Sequence, residues 1–113
     1  MKVRTRWDKG VLVASLEGEI DTMDSEGMAS AMAEISTQKP QAVVLDFGGV
    51  KYIASQGIAL VIKFAQEVRR GGGQIRIAAV LPAVKTVLDM VNLKVIVPMA
   101  DSVETAVGEL QKH

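Results

Sequence analysis

Apolar positions recur along the chain with two periods, and each change of period marks a candidate element. Lys2 to Trp7 alternates, setting Lys2, Arg4 and Arg6 on one face of a strand and Val3, Thr5 and Trp7 on the other. Val11 to Glu17 is a second strand, and the intervening "DKG" supplies turn chemistry at Asp8 and Gly10, so the pair reads as a hairpin. The basic stripe on the first strand reads as a solvated edge that discourages strand addition. "GEIDTMD" then breaks the alternation. Asp21, Thr22 and Asp24 offer caps for a helix that carries Met28, Ala31, Met32 and Ile35 on one stripe, with Gly27 weakening its first turn.

"QAVVLDF" is a compact run of β-formers, the pattern of a central strand buried on both faces, and "GGVKYIAS" reads as a crossing loop after it. From Ser55 the spacing turns helical through Ile58, Val61, Ile62, Ala65 and Val68. That helix stops at "RRGGG", with cations in its last turn and glycine at its end. "QIRIAAV" predicts another strand. In "LPAVKTVLDMVNL", Pro82 suits a first helical turn, Val84, Val87, Leu88 and Val91 form a buried stripe, and Asn92 can take the left-handed cap. "KVIVP" reads as a short strand. Asp101 and Glu104 stand at capping-box spacing before a last helix that buries Val103, Ala106, Val107 and Leu110.

The predicted order is two strands, then helix and strand in alternation, closing on the last of four helices. Such alternation predicts an α/β domain, a mixed sheet with parallel central strands and right-handed crossovers behind an N-terminal hairpin. At 113 residues the chain is expected to form one domain around one core, spanning residues 1–113. The loops after parallel strands gather at one edge of such a sheet, where ligands or partners bind. Ser55 falls in one of them.

Composition narrows the chemistry. Aromatic residues make up 4% of the chain, so the interior is built from Val, Ile, Leu, Ala and Met with Trp7, Phe47, Tyr52 and Phe64 as rare exceptions. There is no cysteine, which removes disulfides, thiolate catalysis and thiolate metal sites and predicts a cytoplasmic protein. The single histidine is the terminal His113, leaving histidine catalysis and metal ligation without a carrier. Thirteen basic and thirteen acidic residues cancel, so nothing drives binding to nucleic acid or to anionic lipid. No apolar run reaches the length of a membrane span, about 18 residues.

The glycine triplet Gly71 to Gly73 follows a helix and lacks a Lys followed by Ser or Thr, so it reads as a helix stop and not as a phosphate loop. The acids Glu17, Glu19, Asp21 and Asp24 lack the spacing of a calcium loop and read as capping and solvation. No Ser/His/Asp or Cys/His set exists, so no enzyme active site and no cofactor are expected. Ser55 is the candidate that remains. As an N-cap it would accept an amide bond from the first turn, a contribution of about 1 kcal/mol. As a phosphoacceptor it would place its charge where the positive helix end stabilises it. Steps of three and four from Gln56 reach Ala59 or Leu60, then Lys63, Glu67 and Arg70, a face that is apolar beside Ser55 and polar further on. Ala59 and Leu60 either meet a partner or lie beneath a neighbouring loop.

Taken in order, "LEGEID", "VVLDFGGVKYIASQGIALV", "GGGQIRIAAVLPAVKTVLDMVNL" and "SVETAV" resemble the STAS domain family, over nearly the whole chain. That family includes bacterial anti-sigma factor antagonists and the cytosolic domains of sulfate transporters. The resemblance implies a non-catalytic signalling module whose partner is an anti-sigma factor that is also a serine kinase. It places the phosphoacceptor at Ser55 and implies a serine phosphatase that resets it. The implied contact surface is Ala54, Gln56, Gly57, Ala59, Leu60 and Lys63. An alternative within the same resemblance is a scaffold subunit, in a stress-sensing complex or on a lipid or anion transporter. Two positions depart from the family's Asp-Ser-Ser/Ala-Gly signature: Ala54 replaces the acid before the serine, and Gln56 replaces the small residue after it.

Overall fold

The computed structural model describes residues 2–20 and 25–111, so the caps expected at Asp21, Thr22 and Asp24, and His113, lie outside the described residues. The first hairpin joins β1 (Lys2–Asp8) to β2 (Val11–Ile20) in antiparallel register, Asp8 facing Val11. Lys9 and Gly10 turn it with φ of 53° and 84°, the positive values that a two-residue loop needs to match strand twist. Helix α1 (Ser25–Thr37) leads to β3 (Ala42–Ile53), which α2 (Ser55–Arg70) connects to β4 (Gln74–Ala78). Then α3 (Pro82–Met90) and the single turn α4 (Leu93–Ile96) lead to β5 (Met99–Ala100) and α5 (Val103–Gln111). The strands lie in the order β1-β2-β3-β4-β5, parallel except for the first pair. β3 is central, as its apolar run predicts.

Alternation along β2 and β3 divides the core between the two faces of the sheet. Leu12, Ala14, Leu16, Val43, Leu45 and Phe47 meet Met28 and Met32 of α1, Val61 and Phe64 of α2, and Val84 and Leu88 of α3. Val11, Val13, Val44 and Ala78 meet Ala106, Val107 and Leu110 of α5 on the opposite face. The glycine triplet is a helix stop, as its position predicts. Gly72 takes φ +87° and donates to Arg69 O at 2.9 Å, and Gly73 donates to Val68 O at 2.9 Å, the paired bonds of a Schellman motif.

The structure departs from the sequence reading at several places. Strand β3 runs on through "GGVKYI", where a crossing loop is expected. Gly49 permits this, since a Cβ there would lie 2.8 Å from Glu17 Cγ and 3.0 Å from the Leu16 carbonyl of the adjoining strand. "KVIV" belongs to a helical turn, not a strand: Leu93 and Val97 are buried while Val95 between them is 75% exposed. Helix α3 ends at Met90, so Val91 is its C-cap and is half exposed instead of completing the stripe; Asn92 takes φ 57° as expected. The cap of α5 is Ser102, whose Oγ accepts from the Thr105 amide at 3.0 Å, one residue beyond the Asp101–Glu104 pair. Of the four aromatic residues, Phe47 and Phe64 are buried, whereas Trp7 and Tyr52 are exposed.

Candidate functional site

Because β3 extends to Ile53, a single residue joins it to α2, and Ser55 belongs to the helix instead of a loop. Ala54 holds the N-cap position in extended conformation, with φ −88° and ψ 167°, and its methyl side chain offers no cap. Its amide donates to Ile20 O at 2.7 Å and its carbonyl accepts from Ile58 at 3.1 Å, so the junction is clamped to the end of β2. Ser55 is therefore the first helical residue, not the N-cap. It is exposed, at the end where the peptide dipoles of 16 residues converge. The amides of Ser55, Gln56 and Gly57 precede the first intrahelical bond, and the Ala54 side chain gives them no cap.

Gly57, expected in the contact surface, is turned inward and buried. A Cβ there would overlap Ile20 Cγ2 and come within 3.0 Å of Ile53 Cγ1. The glycine thus lets α2 start tight against the ends of β2 and β3. Gln56, Ala59 and Lys63 face outward and Leu60 is half-buried. Among the described residues no loop covers Ala59 and Leu60. With Gln56 they form one wall of a shallow groove of about 300 Å³, whose other wall is Ser25, Glu26 and Ala29 of α1. Lys63 lies one turn beyond it. The contribution of α1 is absent from the sequence reading, because a pairing between two helix surfaces leaves no mark on either helix's own periodicity.

Among the described residues, no three His, Cys, Asp or Glu side chains gather as a metal site. Among the same residues, no helix is long and apolar enough to cross a membrane.

The STAS domain family model matches residues 2–106. The chain belongs to the STAS domain family. BtrV of Bordetella bronchiseptica is 30% identical over 97 residues, covering 86% of this chain and 84% of that protein. The anti-sigma F factor antagonist of Paenibacillus polymyxa is 27% identical over 112 residues, 98% of this chain and 96% of the relative. Among solved structures, an anti-sigma factor antagonist from Mycobacterium paratuberculosis superposes with a TM-score of 0.90 at 21% identity, covering 97% and 93% of the two chains. The Bacillus cell fate determinant SpoIIAA in its phosphorylated form superposes with a TM-score of 0.70 at 18% identity, covering 96% and 98%.

In this STAS domain the missing acid leaves a helix start that a carboxylate would complete. Ala54→Asp is expected to stabilise the fold by about 1 kcal/mol, by supplying a side-chain acceptor to the amides of the first turn. Urea denaturation of the two proteins checks this. An unchanged midpoint would mean that the Ala54 backbone does not present a side chain to those amides.

Proposed function

We propose that this STAS domain is an anti-sigma factor antagonist, a cytoplasmic module that acts by binding and not by catalysis. Its partner is an anti-sigma factor with serine kinase activity, docked across the start of α2 and the groove beside it. The observation that carries the reading is the exposed Ser55 on the first turn of α2, which Ala54 does not cap, next to Gln56, Ala59 and Leu60. Three amides and the helix dipole stabilise a phosphate at that position without disturbing the core. The added charge then opposes docking of an apolar partner surface. A serine phosphatase restores the binding form. The names of the relatives support the antagonist role, and SpoIIAA shows the same fold carrying a phosphate.

Incubation with the cognate kinase and ATP, followed by intact-mass and phosphosite analysis, tests the switch. One phosphate is expected at Ser55, and none in Ser55→Ala. A second reading is favoured by Ala54, which leaves the kinase no carboxylate beside the acceptor: a constitutive scaffold subunit of a stress-sensing complex or of a lipid or anion transporter. Absence of phosphate at Ser55, together with co-purification of a transporter ATPase, would decide for it.

A further inference from the structure

A row of directly opposed residues crosses the first three strands on the face of the sheet that carries α5. Arg4 lies across from Ser15 in the antiparallel pair, and Ser15 across from Asp46 in the parallel one. Helix α5 packs on Val13 and Val44. Two positions further along the same strands, and so on the same face, Ser15 and Asp46 are only half-buried. With neighbouring strands about 4.8 Å apart, the row roots a guanidinium and a carboxylate about 10 Å from each other, with a hydroxyl between them.

The carboxylate is held in place from two sides. Asp46 accepts from Ser15 Oγ at 2.9 Å and from the Gly48 amide at 2.9 Å. A Cβ at Gly48 would stand 3.1 Å from Asp46 Oδ1, so the missing side chain keeps that oxygen open, and Gly49 next to it adds no side chain either. Among the described residues no cation comes within ion-pair distance of Asp46 and no acid within that distance of Arg4, whereas Arg6 meets Asp8 at 3.3 Å. A half-buried carboxylate without a counter-charge is incompletely solvated and gains from a cation beside it. Over the row lies a cavity of about 450 Å³, lined among others by Arg4, Arg6, Ser15, Glu17 and Asp46. Sites for small ligands run from about 300 to 1,000 Å³.

We infer that this cavity binds a small zwitterion, a molecule with a carboxylate at one end and a protonated amine at the other. The two signs of charge are separated across the strands: Arg4 and Arg6 stand on β1, Glu17 on β2 and Asp46 on β3. A ligand carboxylate on the Arg4 guanidinium and a ligand ammonium on Asp46 and Glu17 match that order with charge-assisted hydrogen bonds at both ends. A simple anion would meet two carboxylates, and a simple cation two guanidinium groups. Only a ligand carrying both charges answers both walls. Arg4 is exposed, and its flexible stem can close the remaining distance over a short aliphatic spacer. The site lies on the opposite face of the sheet from α1 and α2, and it does not depend on the proposed role of α2.

The probe is 4-aminobutyrate, titrated into isotope-labelled protein beside butyrate and butylamine, each of which lacks one of its charges. Saturable binding with a Kd of about 1 mM is expected, with amide shifts centred on Ser15, Gly48 and Gly49. Both single-charge analogues should bind about tenfold more weakly or worse, and the affinity of the zwitterion should fall with added salt. Asp46→Asn keeps the size of the side chain and removes its charge, and should cost about tenfold. Arg4→Gln, on the exposed edge strand, keeps the test decisive if the first variant does not fold: it should reduce 4-aminobutyrate to the affinity of butylamine. No saturation by about 50 mM ligand, equal affinity for 4-aminobutyrate and either analogue, or unchanged affinity in Arg4→Gln would overturn the inference.

Discussion

Replacing Gly57 with valine is expected to destabilise the domain by about 3 kcal/mol, at the upper end of the usual cost of overpacking a core. The first added atom already overlaps Ile20 Cγ2 and approaches Ile53 Cγ1 to 3.0 Å, and both isoleucines are themselves buried. Two further methyl groups leave α2 no choice but to lift from the sheet. The same substitution at Gly27 is the control. A Cβ at Gly27, on the exposed side of α1, meets nothing within 4 Å, so valine there should be neutral or slightly stabilising through helix propensity. Urea denaturation of both variants separates packing from propensity. Equal effects at the two sites would show that the start of α2 is not held against Ile20. A loss confined to Gly57→Val would locate the strain under Ser55, so this variant should also blunt partner binding without touching the contact face.

Gly57 also marks where sequence reasoning stops. The residue pattern shows that a helix begins here and that glycine belongs in its first turn, but not that the glycine's missing side chain faces Ile20, 37 positions earlier in the chain. The hairpin, the central strand and the stripe of α2 are legible because each follows from neighbours within one element. Val43, Val44 and Leu45 read as a doubly buried strand and are one. Beyond Phe47 the pair Gly48–Gly49 reads as the start of a crossing loop, because glycine punctuates most chains that way. In the fold the pair continues the strand, and β2 passes close enough at Gly49 that a Cβ there would crowd Glu17 and the Leu16 carbonyl.

The same limit explains "KVIV". Strand alternation would set Leu93, Val95 and Val97 on one face, whereas the fold buries Leu93 and Val97 four residues apart and turns Val95 outward. So short an apolar run satisfies both periods, and only the packing beneath α3 chooses between them. At the site, the first turn of α2 was legible, but the identity of its cap was not. Where a helix starts is decided by the last backbone bond of the preceding strand. Here that bond runs from Ala54 to Ile20 and moves the start one residue toward the N-terminus.

Ser55→Asp is expected to separate the two roles of that turn. Folding should change little, because an acid in the first turn of a helix is favoured by about 0.5 kcal/mol through the dipole and the open amides. Binding to the anti-sigma factor should fall about a hundredfold, a loss of about 2.7 kcal/mol. The loss follows from placing a carboxylate among Gln56, Ala59 and Leu60, where a docked surface removes water and no described cation stands within the groove. Ser55→Asn, of equal size without charge, is the control. It should lose less than a fifth of that free energy, about 0.5 kcal/mol, if charge and not volume disrupts the contact. Titration calorimetry of the three proteins, at matched thermal stability, reads the difference. Unchanged affinity in Ser55→Asp would move the interface away from α2. Equal losses in Asp and Asn would instead make Ser55 a steric contact, and phosphorylation would then act through size. A charge-specific loss would establish that the first turn of α2 holds the domain's shape in either state and its binding in only one.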